Sequence, residues 1–240
     1  MRIGRPLSIL AVLVSAPLSA QDPVAVVNKV TADVGYVQTS GNTAVTTTSV
    51  GEKWTQSRGL FTLEQTFSFV YGEQAGIEVN NTLATGVRGD YKLGDVMSIY
   101  GDVKFDRAPF SGIARRTVES FGLQALALAA TSDTLRVSLG ASVTQQLGTD
   151  RNQNNFPAAN AGLVYRHAFT AAAYFQQNLE AIPNLKDQDD LRISSESAVV
   201  APISARIGMK LSYIVRFDNV PEPTFKKTDR IFTTGLQITF

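Results

Sequence analysis

The last fifteen residues, Lys226 to Phe240, alternate in polarity and stop on an aromatic. Phe232, Thr234, Leu236, Ile238 and Phe240 share one face, while Thr233, Gly235, Gln237 and Thr239 share the other. Side chains repeat every two residues along a strand, so this segment reads as a strand with one apolar and one polar side. An amphipathic helix would need apolar residues three and four apart instead. The same two-residue period recurs along the chain, which demands a sheet whose two faces meet different surroundings.

Twelve alternating segments can be read, over 28–40, 43–57, 59–72, 78–93, 96–107, 115–130, 134–147, 155–166, 168–181, 188–201, 204–218 and 226–240. The clearest sets Leu135, Val137, Leu139, Ala141 and Val143 against Arg136, Ser138, Gly140, Ser142 and Thr144. Most exceed the usual strand length of about five or six residues, which argues against a soluble sandwich. The segments 43–57 and 115–130 are poorer, because Glu52 and Glu119 fall on the apolar face. No segment after residue 20 holds roughly 18 apolar residues in a row, so a membrane-crossing helix is not expected. The other structure that satisfies every backbone group in lipid is a closed barrel. Mean hydropathy near zero fits it, because outward and inward residues average out.

The ends agree. Arg2 and Arg5 precede a short apolar run, Leu7 to Pro17, and Leu18-Ser19-Ala20 offers small residues before Gln21. This is the pattern of a cleaved signal peptide over 1–20. A periplasmic segment, 21–27, and one barrel domain, 28–240, would follow. Without Arg2 and Arg5 the formal charge of +1 becomes −1, so no strong field points to nucleic acid. Cysteine is absent, which excludes disulfides, thiol chemistry and Cys-built metal sites.

Connections carry an independent signal. Those after alternate strands are short, such as Gly94-Asp95, Arg166-His167 and Pro202-Ile203. The intervening ones, 72–77, 108–114, 148–154, 182–187 and 219–225, are longer and rich in Gly, Pro, Asn and charge. Ser40-Gly41-Asn42 is a tight exception. Short turns on one side and long loops on the other is the outer-membrane pattern. Tyr36, Trp54, Phe61, Tyr71, Tyr91, Tyr165, Phe217 and Phe240 fall where interfacial aromatic girdles are expected.

Three stretches resemble one known bacterial family. They are Gly35 to Thr43, Phe110 to Arg116, and the run from Tyr213 through Arg216, Asp218 and Pro221-Glu222-Pro223 to Asp229. Together they resemble the salt-induced outer membrane proteins, also known as domain of unknown function 481. The resemblance implies an outer-membrane β-barrel and brings no catalytic residue or cofactor. Expected partners are outer-membrane lipid and lipopolysaccharide, with the barrel-assembly machinery and periplasmic chaperones during biogenesis. For these, Phe232, Leu236, Ile238 and Phe240 would form the C-terminal assembly signal.

Candidate chemistry is sparse. His167 is the single histidine and is expected in a two-residue turn, without an orienting acid or a serine in sequence reach. Asp187-Gln188-Asp189-Asp190 could hold Ca²⁺ weakly, but lacks the Gly and Glu of an EF-hand loop, so no metal site is expected.

Function is therefore sought in the lumen. Alternation turns inward the cations Lys29, Lys53, Arg88, Lys92, Lys104, Arg136, Arg166, Arg192, Arg206, Lys210 and Arg216. The inward anions are Asp33, Glu64, Asp90, Asp102, Asp106, Glu196 and Asp218, which leaves a positive surplus. Arg88, Asp90, Lys104, Arg136, Arg192, Glu196, Arg206, Lys210, Arg216 and Asp218 are the candidate constriction. Twelve tilted strands give a backbone diameter near ~24 Å and a bore of ~10–14 Å before long side chains fold across it. Two readings follow. One is a narrow passive channel for ions or small solutes, mildly anion-preferring. The other is a closed structural barrel neutralised by pairs such as Arg88–Asp90 and Arg216–Asp218.

Overall fold

The computed structural model describes residues 25–39 and 45–240; the expected signal peptide and the turn at Ser40-Gly41-Asn42 lie outside them. The strands are β1 Val26–Thr39, β2 Val45–Arg58, β3 Phe61–Gln74, β4 Ile77–Lys92, β5 Met97–Ala108 and β6 Ile113–Ala129. They continue as β7 Asp133–Gly148, β8 Gln153–Ala168, β9 Tyr174–Pro183, β10 Leu191–Pro202, β11 Ile207–Asp218 and β12 Thr228–Thr239. Each pairs antiparallel with its chain neighbour, and β1 pairs with β12, so the sheet is a closed barrel. Closure leaves no unpaired edge, which a sheet in hydrocarbon requires. No helix among the described residues is long and apolar enough to cross a membrane.

The alternation of the sequence becomes the inside and outside of the wall. Val34, Phe67, Val87, Val103, Phe121, Leu139, Leu179, Met209 and Leu236 all stand exposed on the outer face. Their immediate strand neighbours point inward and are shielded. The girdle aromatics divide between two rims. Phe61 and Tyr91 are direct partners near the end that carries Val26 and Phe240, here the terminal end. Tyr36, Tyr71 and Phe217 lie toward the opposite, distal end. Phe232, Leu236 and Phe240 face outward, and Phe240 stays in the ladder through bonds with Val30 of 2.9 and 3.2 Å.

Two glycine pairs mark where backbones come closest. At the closing seam Gly35 stands opposite Gly235, and a Cβ on Gly235 would lie 2.1 Å from the Val34 carbonyl oxygen. On the far wall Gly122 faces Gly140 beneath the ring of Tyr100, itself 2 % exposed. A Cβ on Gly140 would lie 2.4 Å from the Phe121 oxygen and 2.7 Å from the Tyr100 hydroxyl. An aromatic laid over glycines restores the cover those glycines lack.

Several boundaries differ from the sequence reading. The expected long loop at 72–77 is the two-residue turn Ala75-Gly76, because β3 and β4 extend past a bulge at Gly72/Glu73. β9 begins at Tyr174 rather than 168, since Phe169–Ala173 form a turn held by Phe169 and Thr170 amides on the Ala173 carbonyl. His167 therefore sits in β8, not in a turn. Loop asymmetry survives in the long β9–β10 and β11–β12 connections of the distal end. β6 carries bulges at Ile113/Arg115 and Leu126/Leu128, yet β2 is regular. Glu52 and Glu119 accordingly do face outward: Glu52 lies between Ala32 and Phe67, and Glu119 between Val103 and Val143.

Candidate functional site

The lumen is built in three storeys from side chains whose inward direction the strand period fixes. Toward the terminal end, β4 aims Arg88 and Asp90 into the barrel two residues apart, and they form a bidentate pair at 2.8 Å. Arg88 also donates to Gln124 at 3.0 Å and lies 3.9 Å from the centre of the Tyr100 ring. Guanidinium, phenol and glycine pair thus form a filled stack against the β5–β7 wall.

The middle storey crosses the bore. Lys104 on β5 donates to Glu180 on β9, four strands away around the wall. Asn160 on β8 donates to the same carboxylate at 3.0 Å, and Asp102 stands 3.8 Å from Lys104. A second network covers the closing seam. Lys210 on β11 donates to Asp33 on β1 at 2.7 Å and lies 3.7 Å from Glu196. Gln237 donates to Asp33 at 3.0 Å, Ser212 to Glu196 at 2.8 Å, and Tyr174 to Gln237 at 2.8 Å.

The distal storey is a cavity of about 310 Å³. Lys104 and Glu180 form its floor, and Arg116, Arg192, Arg216 and Asp218 stand in its wall. Pro221, Lys226 and Lys227 of the β11–β12 loop line it from the distal side. That loop spans the mouth, since Gln146 on β7 donates to Glu222 at 2.9 Å. Ser111, in the 3₁₀ turn Pro109–Ser111 between β5 and β6, reaches Asp229 on β12 from the other direction.

Of the expected constriction residues, Arg88, Asp90, Lys104, Arg192, Glu196, Lys210, Arg216 and Asp218 all point inward, but they are spread over the three storeys. Arg136 has the inward phase yet lies exposed near the terminal end of β7. Arg206 does not line the lumen: it is exposed in the β10–β11 turn, where its carbonyl accepts the Thr239 amide at 2.9 Å. The expected Arg88–Asp90 pair forms, whereas Arg216–Asp218 does not. Asp218 pairs instead with Arg192 of the neighbouring strand at 3.3 Å, because those two stand directly opposite in register.

Sequence reading missed Arg116, Glu180, Glu222 and Asp229. Arg116 keeps unbroken alternation with Val118 and Ser120 beyond the bulge at Ile113/Arg115, and Asp106 opposite it holds it at 3.0 Å. Glu180 lies inside the expected segment 168–181 in the same phase as Asn178, but is absent from the inward anions of the sequence reading. Glu222 belongs to a loop, where period carries no information.

Outside the lumen, His167 does have an acid: its Nδ1 lies 2.8 Å from Asp133, which also accepts from Tyr165 at 2.7 Å and Ser132 at 2.6 Å. The carboxylate lies between serine and histidine, so the histidine cannot draw a proton from this serine as a hydrolase requires. Asp190 is likewise engaged, by Asn184 at 2.9 Å and Arg192 at 3.4 Å, which turns it away from the acidic loop. No cluster of metal-ligand type occurs among the described residues.

A closed antiparallel barrel of twelve strands, apolar outside and charged within, defines the class of outer-membrane β-barrels. The chain belongs to the family described as "Protein of unknown function, DUF481", whose model matches residues 32–240. It is 26 % identical over 154 residues to "Uncharacterized protein YdiY" of Escherichia coli (strain K12), covering 64 % of this chain and 60 % of that protein. Among solved structures, the COG4313 outer membrane channel from Pseudomonas putida F1 matches with a TM-score of 0.50 at 10 % identity, covering 93 % of this chain and 99 % of that one. The NanC porin matches at 0.49 and 11 % identity, over 87 % and 97 %. These likenesses are of fold.

Proposed function

We propose that the protein is a non-enzymatic outer-membrane barrel providing a narrow passage for ions or small solutes. The observation that carries this reading is the nature of the cross-lumen ties. The middle of the bore is crossed by one flexible side chain, Lys104 reaching Glu180, with Lys210 to Asp33 along the closing seam, rather than by an inserted backbone segment. Around them the lumen is polar, and a cavity lies directly above. Such a constriction admits an ion when one lysine swings aside, which costs far less than unfolding a plug. A charged, hydrated interior is also what a conducting pore needs.

One observation favours a closed structural barrel: the filled stack of Arg88, Tyr100 and the Gly122–Gly140 pair occupies part of the terminal-end lumen. Planar-bilayer recording of refolded protein separates the two. The passage reading expects small discrete steps, raised on the order of twofold in K104A, which removes the mid-bore tie. Silence from both proteins would leave the closed scaffold standing.

A further inference from the structure

The distal cavity holds more cationic donors than its carboxylates use. Arg192 is only 7 % exposed; its Nη2 donates to Asp190 at 3.5 Å and its Nε lies 3.3–3.4 Å from Asp218 and Asp190, but its Nη1 has no hydrogen-bond partner. Arg216, in the same wall, has no carboxylate within 4.0 Å among the described residues; Asp106 and Asp229 act on it only from further away. Arg116 spends one face on Asp106 and also acts electrostatically on both other arginines. Three guanidinium groups in one enclosed space repel one another, and buried N–H groups left unpaired carry a desolvation cost. An oxyanion placed among them relieves both. Guanidinium is also the group whose fork matches a carboxylate in bidentate fashion.

We infer that this cavity is a binding site for a small organic carboxylate, gripped by Arg192 and Arg216 beneath the β11–β12 loop. About 310 Å³ is at the lower end of small-molecule pockets, enough for a solute of a few carbons beyond its carboxylate. Ile113 and Val118 on β6 and Ile182 on β9 add apolar lining for the body of such a solute, while Lys226 of the β11–β12 loop adds positive charge. This deepens the passage reading by naming the solute class, and it rests on the lumen being reached by solute from the distal end.

The test is calorimetric titration of refolded, detergent-solubilised barrel with gluconate, using the uncharged glucitol as control. Gluconate is expected to bind saturably in the millimolar range or tighter, and glucitol not at all. Arg216 suits mutation because its loss strands no ion-paired carboxylate. R216Q is expected to weaken gluconate by about tenfold or more, and R216K, which keeps charge but loses the fork, by a smaller factor. Folding of each variant is read from heat-modifiable gel migration; if R216Q does not fold, R216K decides. No saturable gluconate binding, equal binding of glucitol, or unchanged affinity in the folded variants would overturn the site. A barrel that binds gluconate yet passes no current keeps the site and removes the passage; current without gluconate binding does the reverse.

Discussion

Gln146 on β7 donates to Glu222 of the β11–β12 loop at 2.9 Å, although their strands stand nearly opposite in the barrel. One side chain thereby holds a loop across the distal mouth. Beside Glu222, the loop carries Lys226 and Lys227, obvious tryptic sites. E222A should cost no more than about 1–3 kcal/mol of global stability, the amide of buried Gln146 losing its acceptor. It should nevertheless speed cleavage after these lysines when vesicle-embedded protein is treated with trypsin, scored by mass spectrometry. Unchanged cleavage would mean the loop is held elsewhere.

Asp33 is the shared acceptor of the seam network. D33A removes the acceptor of both Lys210 and Gln237, leaving the lysine only Glu196 at 3.7 Å. Loss of two bonds to the carboxylate, one from an ammonium and one from an amide, is expected to cost roughly 1–3 kcal/mol. The urea midpoint of unfolding in lipid vesicles, followed by Trp54 fluorescence, measures it.

Gly140 has no room for a methyl group, because the Phe121 oxygen and the Tyr100 hydroxyl already occupy its place. G140A should destabilise by about 1–3 kcal/mol through backbone displacement and tilting of the Tyr100 ring. Y100A tests the complementary half: truncating a buried aromatic is expected to cost about 3–5 kcal/mol. The same unfolding assay reads both, and a neutral G140A would show that the β6–β7 pair yields without strain.

Glu52 faces outward near the middle of β2, between Ala32 and Phe67. Hydrocarbon penalises an acidic side chain at this depth, though less than a basic one. E52L is therefore expected to stabilise the barrel in vesicles by about 1 kcal/mol, and E52R to destabilise it by about 2–4 kcal/mol. Equal midpoints for all three proteins would place Glu52 against a protein partner rather than lipid.

Much of this architecture was legible in advance, for a specific reason. Period two sorts residues by solvent, so Asp33, Lys104, Glu196 and Lys210 could be assigned inward from neighbours alone. What periodicity could not supply was partnership. Lys104 meets Glu180 four strands away, a distance set by barrel closure and not by spacing in the chain. Arg216 and Asp218 share a face two residues apart, yet register hands Asp218 to Arg192. The turn at Phe169–Ala173 was misread because Phe169 and Tyr174 suggest a continuing strand, while the backbone bonds to Ala173 fold it back.

The link from Lys210 and Gln237 to Asp33 joins positions 177 and 204 residues apart in the chain. Those bonds cannot exist while the opening and final strands are separated, so a half-assembled intermediate must carry Asp33 without its lysine and leave Lys210 only Glu196. Their meeting rewards completion alone. The interior thereby acts as a latch that distinguishes a finished ring from an open sheet, whatever later travels through it.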